Sequence, residues 1–136
     1  MNILIVAGSK TEFSLGKLYS RAFQELGHNV VEYYDMDTLN SHGNIFDYDL
    51  IQKVNWWRFQ LKTSYSWFKK ILIIFLKPLL IYADTKTNKE LLDLALTFNP
   101  DIFFTIPARA INAETICSIM DKTNCLAITY HGDSYD

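Results

Sequence analysis

Cysteine, proline and glycine are all scarce in this 136-residue chain, with 2, 3 and 5 copies respectively. So few glycines and prolines exclude collagen-like and low-complexity readings. Two cysteines, with no secretory leader evident, argue against a small secreted module stapled by disulfides. Cys117 and Cys125 stand eight residues apart with no second ligand pair at zinc spacing, so no metal site is expected. They read as small apolar groups in a reducing compartment. Net charge is also low, at −2, which gives no overall electrostatic reason to bind nucleic acid. Long apolar runs are missing too. Ile71 to Leu76 is followed by Lys77-Pro78 before Leu79 to Tyr82, well short of the ~20 residues a membrane span needs.

One local absence stands out. From Ile51 to Ala83 there is no Asp or Glu, while Lys53, Arg58, Lys62, Lys69, Lys70 and Lys77 supply six positive charges. The remainder sets seven bases against fifteen acids and so carries −8. All three tryptophans, Trp56, Trp57 and Trp67, fall inside the basic segment. An acidic body with one basic, aromatic stretch suggests two jobs.

What is present is the composition of a globular core, 49% hydrophobic and 21% charged, in a length that suits one domain. Asn2 to Ala7 is a short apolar run ending at Gly8, the form of a strand buried on both faces. Leu15, Leu18, Tyr19, Ala22, Phe23 and Leu26 recur at helical spacing and make one apolar stripe, with Ser14 as its cap and Gly27 as its left-handed terminator. Asn29 to Tyr34 reads as a second strand, which completes a βαβ unit. Asp35 to Asp49 is rich in turn residues and reads as a surface loop.

From Val54 to Leu79 apolar residues step by three or four, the mark of a long amphipathic helix that breaks near Ser64 and kinks or ends at Pro78. A further helix is expected over Asn88 to Phe98, a strand over Asp101 to Ile106, a helix over Asn112 to Lys122 capped by Asn112, and a fourth strand over Cys125 to Tyr130. That order predicts an α/β, Rossmann-like doubly wound parallel sheet of four strands, in the order 2-1-3-4, with helices on both faces. The far edge of such a sheet stays unpaired, so a partner domain or subunit is expected.

Ligands of such sheets sit beyond the carboxyl ends of the strands. The candidates there are the Gly8-Ser9-Lys10-Thr11 turn, Ser14, the turn carrying Arg109, and His131-Gly132-Asp133. The first turn has the position of a phosphate-binding loop but not its spelling, since it matches neither G-x-G-x-x-G nor G-x-x-x-x-G-K-[ST]. His131 and Asp133 suit a general base with its orienting carboxylate, or a pair that holds sugar hydroxyls; a merely polar terminal loop is the plainer alternative. The basic aromatic segment has three readings: a core helix whose lysines reach out to water, a helix lying on an anionic membrane surface, or a nucleic-acid platform. Six positives beside an excess of large aliphatics suit a membrane better than nucleic acid. Its membrane-contact candidates are Trp56, Trp57, Arg58, Lys62, Trp67, Lys69 and Lys70.

Asn2-Ile3-Leu4-Ile5-Val6-Ala7-Gly8, Ser14-Leu15-Gly16 and Leu26-Gly27-His28-Asn29-Val30 resemble the start of GT-B glycosyltransferases, where a strand leads into a helix closing on "LGHxV". Phe98-Asn99-Pro100-Asp101-Ile102-Phe103-Phe104 is similar to that superfamily's "PDiif" strand. Ile128 to Ser134 looks like a strand end of the CgeB-like (spore maturation protein) branch, although no proline follows Asp133 here. The resemblance implies the N-terminal, acceptor-side half of a sugar transferase, a fragment or one subunit of a split enzyme, inactive alone. Gly8, Ser9, His131 and Asp133 would line its cleft. No cofactor is expected in this chain itself, because the nucleotide-sugar donor would need a second GT-B domain. A cytoplasmic protein docked on the inner membrane fits the basic segment. The competing reading is a free-standing flavodoxin- or receiver-like module that docks through its aromatic helix.

Overall fold

A computed structural model of the chain describes residues 1–8, 10, 14–42, 66–106, 108 and 110–130. Four strands, β1 (Asn2–Ala7), β2 (Asn29–Tyr34), β3 (Ile102–Thr105) and β4 (Leu126–Thr129), form one sheet in the order β2-β1-β3-β4. Every pairing is parallel. Among the described residues the helices are α1 (Leu15–Glu25), α2 (Asp35–His42), α3 (Ser66–Phe98) and α4 (Ala113–Thr123). The expected Rossmann-like architecture is therefore present, and β1 is at its centre, fully buried from Ile3 to Ala7.

Connection direction decides which face each helix covers. The step from β1 to β2 runs one way across the sheet, and those from β2 to β3 and from β3 to β4 run the other way. A common right-handed crossover then places α1 on one face and α3 and α4 on the opposite one. The core divides accordingly. Leu4, Val6, Tyr33 and Phe103 pack with Leu91 and Ala95 of α3 and Ile119 of α4. Ile3, Ile5, Tyr34 and Phe104 pack with Tyr19 and Phe23 of α1.

Local chemistry sets the helix ends. Ser14 Oγ accepts the Lys17 amide at 3.3 Å, and Asn112 Oδ1 accepts the Thr115 amide at 2.8 Å, so both expected N-caps are made. Gly27 turns left-handed at φ 80° after α1, where a side chain would strain the backbone. Asn99 and Asn124 take the same left-handed step after α3 and α4.

Four expectations are corrected. Asp35 begins a helix, not a loop. Asp35 and Asp37 stand in the first turn of α2, where carboxylates suit the helix dipole, and Thr38 Oγ1 donates to the Tyr34 carbonyl. Pro78 does not end its helix, and no separate helix begins at Asn88, because α3 is continuous over 33 residues. Proline removes one amide donor there, while the buried Leu91 and Ala95 anchor the same helix further on. The α1 stripe is not one inward face either. Gly16 and Ser20 are buried and Tyr19 and Phe23 half-buried, whereas Leu15, Leu18, Ala22 and Leu26 are exposed. Finally, Cys125 is buried as expected but Cys117 is exposed. The expected start of the amphipathic helix at Val54, and its break near Ser64, lie outside the described residues.

Candidate functional site

The carboxyl ends of the four parallel strands form one rim, and three of its connections are tied together by hydrogen bonds. Gly8, just after β1, accepts the Met36 amide of α2 at 3.0 Å. The Lys10 amide donates to Asp37 Oδ2, also at 3.0 Å, and its side chain is exposed. These two bonds fix the first turn against the start of α2. Ser14 is half-buried, and its hydroxyl accepts the capping bond of α1.

Gly16 explains why α1 comes so close to the rim. A Cβ at this position would lie 2.7 Å from the Cβ of Ala7, inside van der Waals contact. Only a hydrogen in its place lets the first turn of the helix settle on the end of β1. Behind it, Lys17 pairs with Glu32 of β2 at 3.0 Å, and the Tyr34 hydroxyl donates to the same carboxylate at 2.8 Å. Burial alone would raise the Glu32 carboxyl, but neighbouring hydroxyls and the Lys17 ammonium hold it below its ordinary value.

The loop after β3 is held from two sides. Asp35, fully buried at the end of β2, accepts the Ala110 amide through Oδ2 at 2.8 Å. Asn88 of α3 donates through Nδ2 to the Ala110 carbonyl at 2.7 Å and accepts the Asn112 amide through Oδ1 at 3.0 Å. Both polar groups of the Ala110 backbone are thus occupied inside the protein. An acid at the end of the second strand is where a dinucleotide-binding sheet holds a ribose. Here that carboxylate is shut inside and bonded to backbone, so its role is to hold the loop.

Between β3 and β4 the rim carries a hydroxyl pair, with Thr105 Oγ1 donating to Thr129 Oγ1 at 2.8 Å. Thr105 is buried and Thr129 exposed. Asp35, Asn88 and the threonine pair are absent from the sequence-based candidates. A lone Asp after a strand and an Asn within a helix signal little until the fold brings residues 75 and 22 apart in sequence into contact.

Of the candidates, Gly8, Lys10 and Ser14 are brought together on the first turn and the start of α1. Ser9, Arg109, His131 and Asp133 lie outside the described residues, as do Trp56, Trp57, Arg58 and Lys62. Trp67, Lys69 and Lys70 fall on the first two turns of α3. Among the described residues no group of three or more His, Cys, Asp and Glu could hold a metal ion. Among them, too, no helix is long and apolar enough to cross a membrane. Compared with family models, with curated proteins and with solved structures, the chain matches none.

Proposed function

We propose that this chain is the acceptor-binding half of a two-domain sugar transferase, with the rim at the strand ends as its ligand-binding surface. The observation that supports the reading is the pairing of two loops that each have anchored residues. The Gly8–Lys10 turn and the loop after β3 open at the same end of β1 and β3, on either side of the point where the sheet changes direction. Open parallel sheets take ligands at that point. Gly8, Lys10 and Ala110, already bonded to Met36, Asp37, Asp35 and Asn88, lose little further freedom when a ligand binds. The sugar chemistry itself rests on the resemblance of the strand and helix motifs to GT-B enzymes, and the donor belongs to a second domain.

In this reading the basic, tryptophan-bearing segment of 51–82 rests on the anionic inner face of a membrane and brings the rim to a membrane-borne acceptor. Its cations would each add about 1 kcal/mol of attraction near such a surface.

The test has two arms. Titrated with UDP-glucose, the chain alone should neither bind it tightly nor transfer glucose, and transfer should appear when a donor-type Rossmann domain encoded beside it is added. Mixed with vesicles, the chain should sediment with phosphatidylglycerol and not with phosphatidylcholine, and salt should release it. Sugar transfer by the purified chain unaided would refute the half-enzyme reading. Equal sedimentation with both lipids would refute the membrane role alone.

A further inference from the structure

Among the described residues, the face of the sheet that α1 covers is only partly closed. Leu126 and Ile128 of β4 face this way, since their β3 partners Ile102 and Phe104 belong to the α1-side core, and Tyr130 just beyond β4 meets the Tyr19 ring of α1. All three are exposed, Leu126 at 61%. Right-handed crossovers send α3 and α4 to the opposite face, so neither helix covers this floor.

Beside the floor stands α1 with a stripe of its own. Tyr19 marks the side of α1 nearest β4, because its ring meets those of Phe104 and Tyr130 at 5.1 and 5.7 Å. Leu15 and Leu26 lie one and two turns away on that same side, and Leu18 is next to them. These three leucines are also exposed, Leu26 at 71%. The result is an apolar step: β4 is the tread and the flank of α1 the riser.

We infer that this step is a dimer interface, occupied by the same step of a second copy of the chain. Three features favour a copy of itself. Each molecule carries both an apolar helix stripe and an apolar sheet floor, so a two-fold arrangement that lays the stripe of one over the floor of the other satisfies both at once. The flank of the patch carries one charge of each sign: Arg21 and Glu25, both exposed, stand one and two turns beyond Leu18 on its side of α1, while Lys17 turns to Glu32 on the β2 side. A two-fold contact can set Arg21 of one copy against Glu25 of the other, whereas an anionic membrane would meet Glu25 as well as Arg21. The area is also of the right order. The exposed parts of the six side chains come to roughly 600 Å² per copy, so a pair would bury about 1,200 Å², the lower end of the range for specific interfaces.

Sedimentation velocity on the full chain over a concentration series tests this. The wild type should show a monomer–dimer equilibrium with micromolar midpoint. Leu18→Glu and Leu126→Glu should each weaken it by about tenfold or more, with circular dichroism melts confirming that both variants fold. Leu96→Glu, exposed on α3 at the other face of the sheet, should leave it unchanged. A chain that stays monomeric throughout overturns the inference, as does a dimer indifferent to both substitutions or equally weakened by Leu96→Glu. None of these outcomes depends on whether the chain takes part in sugar transfer.

Discussion

The two faces of the sheet differ in how completely they are covered. On the face under α3 and α4, Leu4, Val6, Phe103, Leu91, Ala95 and Ile119 are wholly buried. On the other face α1 is the one covering helix among the described residues: Ile3 and Ile5 of the central strand are buried, but the β4 residues on that side are exposed. The cause is topological. In the order 2-1-3-4 only one connection steps toward β2, so a uniform crossover hand sends one connection over that face and two over the opposite one. Coverage in this fold follows from the direction of each step, and hydrophobicity along a strand does not reveal it.

The sharpest way to break the comparison is to truncate one large residue on each face. Phe103→Ala should cost about 3–5 kcal/mol, because a fully buried ring leaves a cavity in a two-helix layer. Ile128→Ala should cost about 1 kcal/mol or less, since its side chain already meets solvent. Urea unfolding of both variants at low protein concentration measures the difference. Similar losses at the two positions would mean that the α1 face is closed after all.

Much of this layout is legible in the sequence. The Asn2–Ala7 run, the Ser14 and Asn112 caps and the Gly27 terminator each have a local cause, and local causes are visible in a single chain. The strand order follows from them through handedness. What stays hidden depends on distance. The turn-forming residues from Asp35 onward resemble a loop until Met36 finds the Gly8 carbonyl and Asp35 finds Ala110. The candidate site is less legible than the fold: Gly8 and Lys10 have positional signals, but Asp35 and Asn88 act across long loops and have none.

The phase of α1 shows the same limit. Its leucines look like the buried face, but the helix approaches β1 through Gly16 and Ser20, the small residues that permit close contact. Gly16→Ala sharpens this point. In an exposed helix the change would stabilise, because alanine is the better helix former. Here the new methyl meets Ala7, so α1 must shift off the sheet, and a loss of about 1–3 kcal/mol is expected. A thermal melt that rises with this substitution would show that Gly16 serves the helix and not the close approach.

The smallest expected effect depends on pH and concerns the better-covered face. The Tyr33 hydroxyl donates to the Thr87 carbonyl at 2.9 Å, which ties β2 to α3. Burial pushes its phenol up from 10.0 to about 12. A group whose folded value is raised contributes stability that is complete below its unfolded value and is lost as pH climbs through the folded one. The Tyr33 contribution should therefore be full below pH 10 and fade toward pH 12. Tyr33→Phe removes the bond and the titration together, so near neutrality it should cost about 1 kcal/mol. Its deficit against the wild type should then shrink across that alkaline window. Tyr34 is raised too, by burial and by the Glu32 carboxylate beside it, but it remains in both proteins and cancels from the comparison. Paired melts from neutral to alkaline pH read the difference directly. A deficit that stays constant through the window would place the Tyr33 hydroxyl in contact with water and leave the two-helix face less sealed than its hydrocarbon core implies.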